Sequence, residues 1–150
     1  MIYIGALFIV GGMLFAAGIT DLRSRTVSRG FLLALAVPCI MGLASRGVGG
    51  LTDAAGGFGI GLCAIGLSVM SREQIGRGDG IVIAWVGLLL GFQGCLVVVC
   101  VASLIMAFAS IVILLLRRGN RSTRLAFLPA LFAGYLIYLG GGLFGGIVFV

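Results

Sequence analysis

Histidine and lysine are both missing from this 150-residue chain, and proline occurs only twice. Acidic residues are nearly missing too: Asp21, Asp53, Asp79 and Glu73 are the whole set. Charged residues make up 9% of the sequence and hydrophobic ones 61%, so no soluble fold of this size could cover itself with a polar surface. Four cysteines (Cys39, Cys63, Cys95 and Cys100) lie inside apolar runs, with no C-x-x-C and no histidine beside them. That argues against a zinc site, and the cysteines read as buried small hydrophobes. No organic cofactor is implied either. The scarcity of proline against 27 glycines suits membrane helices whose backbones approach closely. The opening Met1-Ile2-Tyr3-Ile4 carries no positive side chain, and no small-x-small cleavage site precedes Asp21, so the first run is expected to stay as a mature span.

What the chain does have is apolar length and arginine. The net charge of +6 would suit a nucleic-acid partner, but the ten arginines sit in short clusters between apolar runs. That is the pattern of membrane topology signals, so no nucleic-acid partner is expected. Long apolar runs cover Met1–Thr20, Leu51–Met70, Gly94–Leu116 and Leu125–Val150, with shorter ones at Phe31–Ala44 and Gly80–Phe92. About 20 apolar residues are needed to cross a bilayer as a helix. Arginines fall in 21–30, 71–79 and 117–124, and only Arg46 lies elsewhere. If all three clusters face the cytoplasm, the segments between them cross an even number of times. The prediction is an all-α integral membrane protein: a six-transmembrane helix bundle with both termini external. Residues 31–70 form a hairpin turning near Ser45–Gly50, and 80–116 form another turning near Phe92-Gln93-Gly94. No repeat or separate soluble domain interrupts the chain, which reads as one membrane-embedded domain over 1–150.

This topology brings Asp21, at the end of the first span, and Asp79, inside Gly76-Arg77-Gly78-Asp79-Gly80, to one face of the membrane. A carboxylate at the mouth of a span is costly unless it is paired, hydrated or used. Two together are the minimum equipment for hydrolysing a peptide bond: one ionised and activating water, the other protonated and bonded to the scissile carbonyl. Either aspartate alone could equally cap a helix or pair with an arginine. The alternating Gly76, Gly78 and Gly80 favour the catalytic reading, since they leave room for a peptide beside Asp79 and predict a non-helical segment there. The string is neither a phosphate loop, because no Lys-Ser/Thr follows, nor a dinucleotide fingerprint, because Ile81 stands where glycine is required.

At these residues the chain resembles the type IV prepilin peptidases, membrane aspartic proteases of the GxGD kind. Asp21-Leu22-Arg23-Ser24-Arg25-Thr26-Val27-Ser28 is similar to the family's D-x-R-x-x-x-I-P segment, and Gly76-Arg77-Gly78-Asp79 to its G-x-G-D. Gly87-Leu88-Leu89-Leu90-Gly91 and Ala126-Phe127-Leu128-Pro129-Ala130 resemble a small-residue helix and a P-F-G-P-like stretch. The resemblance implies Asp21 and Asp79 as the catalytic pair of an endopeptidase that removes cytoplasmic leaders from prepilin-like substrates. It further implies an inner-membrane location with the site at the cytoplasmic face. Gly76, Arg77, Gly78, Gly80 and Arg23 would then position substrate. Ile81 replaces the family's lysine and Ser28 its proline, and the cationic role falls to Arg77 or Arg23. The four-cysteine domain of the long members is absent, so the resemblance is to the short, peptidase-only form. The rival readings are a peptidase homologue without activity that serves as an assembly partner, and a small transporter. A transporter would place ionisable groups near the midplane, whereas here they lie at predicted boundaries.

The remaining polar residues have simpler expected roles. Asp53 caps the helix it begins. Glu73 forms a solvated ion pair between Arg72 and Arg77. Trp85 packs, Gln93 turns the chain, and the basic segment 117–124 meets anionic lipid headgroups. A substrate's hydrophobic helix is expected on the smooth face left by Gly56, Gly57, Gly59 and Gly61. The sequence carries no signal for oligomeric state.

Overall fold

The computed structural model describes residues 2–24, 29–47, 49–70, 77–115 and 127–145. Every regular element among them is a helix: α1 Ile2–Ser24, α2 Arg29–Ser45, α3 Gly49–Met70, α4 Arg77–Leu115 and α5 Leu128–Gly145. Continuous apolar sequence without interior charge gives helices because a bilayer satisfies no backbone N–H or C=O; each must bond within its own segment. Three stretches are long and apolar enough to cross a membrane: Ile2–Asp21, Gly49–Met70 and Gly78–Leu115. Gly30–Ser45 and Leu128–Gly141 are apolar but shorter.

The fourth helix is not one rod. At Gly91 the backbone takes φ 79° and ψ −175°, a left-handed conformation that suits glycine. Beyond it the chain turns back: the Cys95 thiol reaches the Ile83 carbonyl oxygen at 3.9 Å, twelve residues earlier. In an unbroken helix that interval would span roughly 18 Å. The reversal expected at Phe92-Gln93-Gly94 therefore occurs, one residue earlier than its first position, and divides α4 into limbs 77–90 and 92–115. The other expected hairpin also turns where it was placed. Arg46 and Gly47 link α2 to α3, with Gly47 at φ 69°.

Neighbouring rods run antiparallel. Tyr135, fully buried on α5, donates to the Leu7 carbonyl of α1 at 2.9 Å, while Gly18, near the end of α1, faces Pro129 at the start of α5. Gly42 of α2 faces Ala6 of α1. On α3, Gly57, Gly61 and Ile65 meet Gly87, Ala84 and Gly80 of the first α4 limb in turn. Gly134 of α5 lies on Val98, and Tyr138 near Gly94, so the second limb is antiparallel to α5. One end of the bundle therefore gathers the end of α1, the start of α2, the end of α3, both outer ends of α4 and the start of α5. These termini border residues 25–28, 71–76 and 116–126. Among the described residues, the backbones of Arg23, Arg29 and Arg77 lie at this end; the other arginines of the three clusters fall outside the described residues.

The core is aliphatic, built from Val10, Leu14, Leu35, Val82, Val86 and Leu131 among others. Large apolar side chains also point outward: Phe8 is 71% exposed, Leu104 70% and Met70 83%. A helix apolar on all sides belongs in lipid, so this is an all-helical membrane protein. Two of the cysteines depart from expectation. Cys39 and Cys95 are buried, but Cys63 and Cys100 are exposed on the outer surface.

Candidate functional site at the arginine-bordered end

Asp21 lies in the last turn of α1, and Asp79 in the first turn of α4. Both are half-buried, and they are near enough that the charge of Asp21 acts on Asp79. Asp21 has at least one further interaction of its own. A helix start is a favourable place for Asp79, because the unpaired N–H groups of the first turn present positive potential to a carboxylate.

The segment carrying Asp79 differs from its prediction. Arg77, Gly78, Asp79 and Gly80 are helical rather than irregular, and Gly76 lies outside the described residues. The glycines act through size. A Cβ on Gly80 would come within 2.6 Å of Ile65 Cγ1 and 3.1 Å of its backbone N, so glycine here lets α3 lie against α4 beside Asp79. Gly78 is half-buried next to it. Arg77 opens α4 and Arg23 lies in the last turn of α1, each described in backbone alone. The start of α5 packs nearby: Gly18, one turn before Asp21, faces Pro129, with Leu128 fully buried and Phe127, just ahead of α5, partly so. Arg72, Glu73 and the basic segment 117–124 fall outside the described residues, as does Ser28; Ile81 is half-buried one turn into α4.

The third aspartate does something the sequence did not suggest. Asp53 was expected to cap its own helix. Instead its Oδ1 accepts from the backbone N–H of Phe92 at 2.8 Å, capping the second limb of α4 just after the reversal. Its Oδ2 receives Nη2 of Arg46 at 3.0 Å. Arg46 also donates Nη1 to the Leu89 carbonyl at 3.2 Å and stacks 5.6 Å from the centre of the Tyr3 ring, whose hydroxyl reaches the same carbonyl at 3.5 Å. One arginine and one aspartate thereby tie α1, α2, α3 and both limbs of α4 together, at the end opposite Asp21. The available signal was Arg46 itself, the one arginine outside the clusters.

Other expectations resolve by contact. Trp85 packs at 6.4 Å from the Phe58 ring, and Gln93 is exposed two residues past the turn. The glycine face of α3 is not open as a whole. Gly57 and Gly61 are buried against α4, where added side chains would strike the Gly87 carbonyl and the Ala84 backbone, and Gly56 faces Phe92. Of the four, only Gly59 has open space above it. A docking face for a substrate helix built from all four is therefore ruled out; the face is an internal seam. Among the described residues, no three His, Cys, Asp or Glu side chains gather as a metal site.

The family model of the type IV leader peptidase family matches residues 8–111, more than two thirds of the chain, a stretch that holds Asp21 and Asp79 together with Asp53. No curated protein and no solved structure matches the chain.

Proposed function

Because the chain belongs to the type IV leader peptidase family, we propose that it is a membrane aspartic endopeptidase that cuts cytoplasmic leaders from prepilin-like substrates, with Asp21 and Asp79 as its catalytic pair. The observation that carries this reading is the convergence of the two carboxyls, from helices far apart in sequence, at one end of the bundle. Two like charges at short range share a proton more readily than both ionise, and their titration belongs to the pair. The ionised partner takes a proton from a water as that water attacks the scissile carbonyl. The protonated partner gives its proton to the carbonyl oxygen as the tetrahedral diol forms; on collapse the first partner passes the proton taken from water to the leaving amine, and the second recovers a proton from a diol hydroxyl.

In this reading six rods cross the inner membrane, both termini lie outside, and the catalytic pair faces the cytoplasm with the arginines. Arg77 or Arg23 supplies the cation that the family places where Ile81 stands. Gly78 and Gly80 keep the peptide side of Asp79 low, with Gly76 continuing that strip. The substrate contributes its own hydrophobic helix, and lipid headgroups meet the basic segments.

Co-expression with a prepilin-like substrate tests this directly, with leader loss followed by gel mobility and mass of the mature N-terminus. The intact chain should process the substrate, and Asp21→Asn and Asp79→Asn should not, while both variants still accumulate in the membrane. Processing by either single variant would remove the pair from the mechanism. A wild-type chain inert toward every prepilin offered would favour the inactive-homologue reading.

A further inference from the structure

Ser68 is fully buried, at 0% exposure. It lies in the last turn of α3, at the same end of the bundle as Asp21 and Asp79, within the otherwise apolar Leu67-Ser68-Val69. Burying a hydroxyl in apolar surroundings is costly unless it is hydrogen-bonded, and Ser68 does have a partner interaction. The α3–α4 seam sets the register at this end. Gly57 meets Gly87, Gly61 meets Ala84, and Ile65 meets Gly80, each step moving one turn up α3 and one turn back along α4. The next step up the same face of α3 is Ser68, and the next back along α4 is its opening residue, Arg77. The first-turn N–H groups of a helix lack intrahelical acceptors, and Gly76, immediately before α4, has no side chain to cap them.

We infer that Ser68 is a positioning residue for this site: its hydroxyl oxygen accepts from the backbone N–H of Arg77, which opens α4, and so fixes the helix start that carries Asp79. The cap comes from the neighbouring helix rather than from the residue ahead of α4. It thereby couples the placement of Asp79 to the α3 seam. The catalytic part of this inference rests on the peptidase reading; the capping part does not.

The test therefore has two arms. In detergent-solubilised or vesicle-embedded protein, amide hydrogen exchange is measured for residues 77–80 in the intact chain, Ser68→Ala and Ser68→Thr. Ser68→Ala should speed exchange there by about tenfold, since a buried hydrogen bond is lost, and Ser68→Thr should restore protection. In the second arm, leader cleavage by the same proteins should show kcat lowered about tenfold in Ser68→Ala with KM within about twofold, and recovery in Ser68→Thr. Unchanged exchange at 77–80 overturns the cap. Unchanged kcat in Ser68→Ala, beside an inactive Asp79→Asn control, overturns the positioning role. Cleavage that persists in Asp79→Asn overturns the peptidase assignment of the pair and leaves the exchange arm to judge Ser68 alone. If Ser68→Ala does not accumulate, Ser68→Cys, close in size and a weak hydrogen-bonder, is read by the same criteria.

Discussion

The two ends of this bundle use aspartate in opposite ways. At the Arg46 end, Asp53 is surrounded by donors: a guanidinium on one oxygen and a helix-opening N–H on the other. At the Asp21 end, the charge of one carboxyl acts on another. The first arrangement lowers the energy of a fixed shape, while the second sets like charges against each other, the arrangement on which the proposed chemistry rests. Among four acidic residues in a chain of 150, position within the bundle, not residue type, separates scaffold from candidate chemistry.

The largest effect that would break this contrast is on activity. Asp21→Asn and Asp79→Asn should each reduce leader cleavage by several orders of magnitude, because the pair acts as a unit. Detergent-resistance or thermal-aggregation assays on the same variants should show a fold close to the parent. Parallel loss of folding and activity would place both aspartates with Asp53 on the structural side.

Next in size is the turn. Gly91→Ala forces a side chain into a left-handed backbone and against the Asp53 carboxylate, and should destabilise the chain by about 2 kcal/mol or more. The readout is the unfolding midpoint in mixed micelles. A midpoint unchanged by Gly91→Ala would mean that the reversal does not depend on this conformation.

A smaller loss is expected from Asp53→Asn. The amide oxygen still accepts from Phe92, while the ion pair with a partly exposed Arg46 goes, so stability should fall by about 1 kcal/mol at most. Cleavage per folded molecule should stay close to that of the parent. A collapse of kcat in Asp53→Asn would erase the distinction between the two ends.

The mildest intervention sharpens the comparison without altering either end. A single cysteine at Gln93, in a background with Cys39, Cys63, Cys95 and Cys100 replaced by alanine, should react with a membrane-impermeant thiol reagent added outside the cell. Labelling only after the cytoplasmic face is opened would invert the proposed topology.

Much of the architecture was legible in advance. Arginine placement and apolar run lengths gave two hairpins, and the reversals occur at Arg46–Gly47 and Gly91, where glycine punctuates the runs. That Asp21 and Asp79 lie at one end of the bundle follows from the same topology. Less legible was anything decided by contact between helices. The strip Gly76–Gly80 reads as non-helical because alternating glycine permits conformations closed to other residues, yet 77–80 are helical, since packing on Ile65 outweighs a cost of about 1 kcal/mol per glycine. Gly57 and Gly61 look equally free in sequence whether they face lipid, a partner or α4. Asp53 sits where a cap of its own helix is expected, and only the fold reveals that a second helix start lies closer.

The seam between α3 and α4 has a consequence for how this chain can vary in length. Gly57 on Gly87, Gly61 on Ala84 and Gly80 on Ile65 work as the teeth of a gauge block. One residue inserted or removed between Gly80 and Gly87 would rotate part of the first α4 limb by about 100° and shift it by about 1.5 Å, bringing bulky neighbours into gaps that admit only hydrogen. The distance from the seam to Asp79 is thus fixed to the residue. Natural or designed chains of this kind should keep their length along the seam.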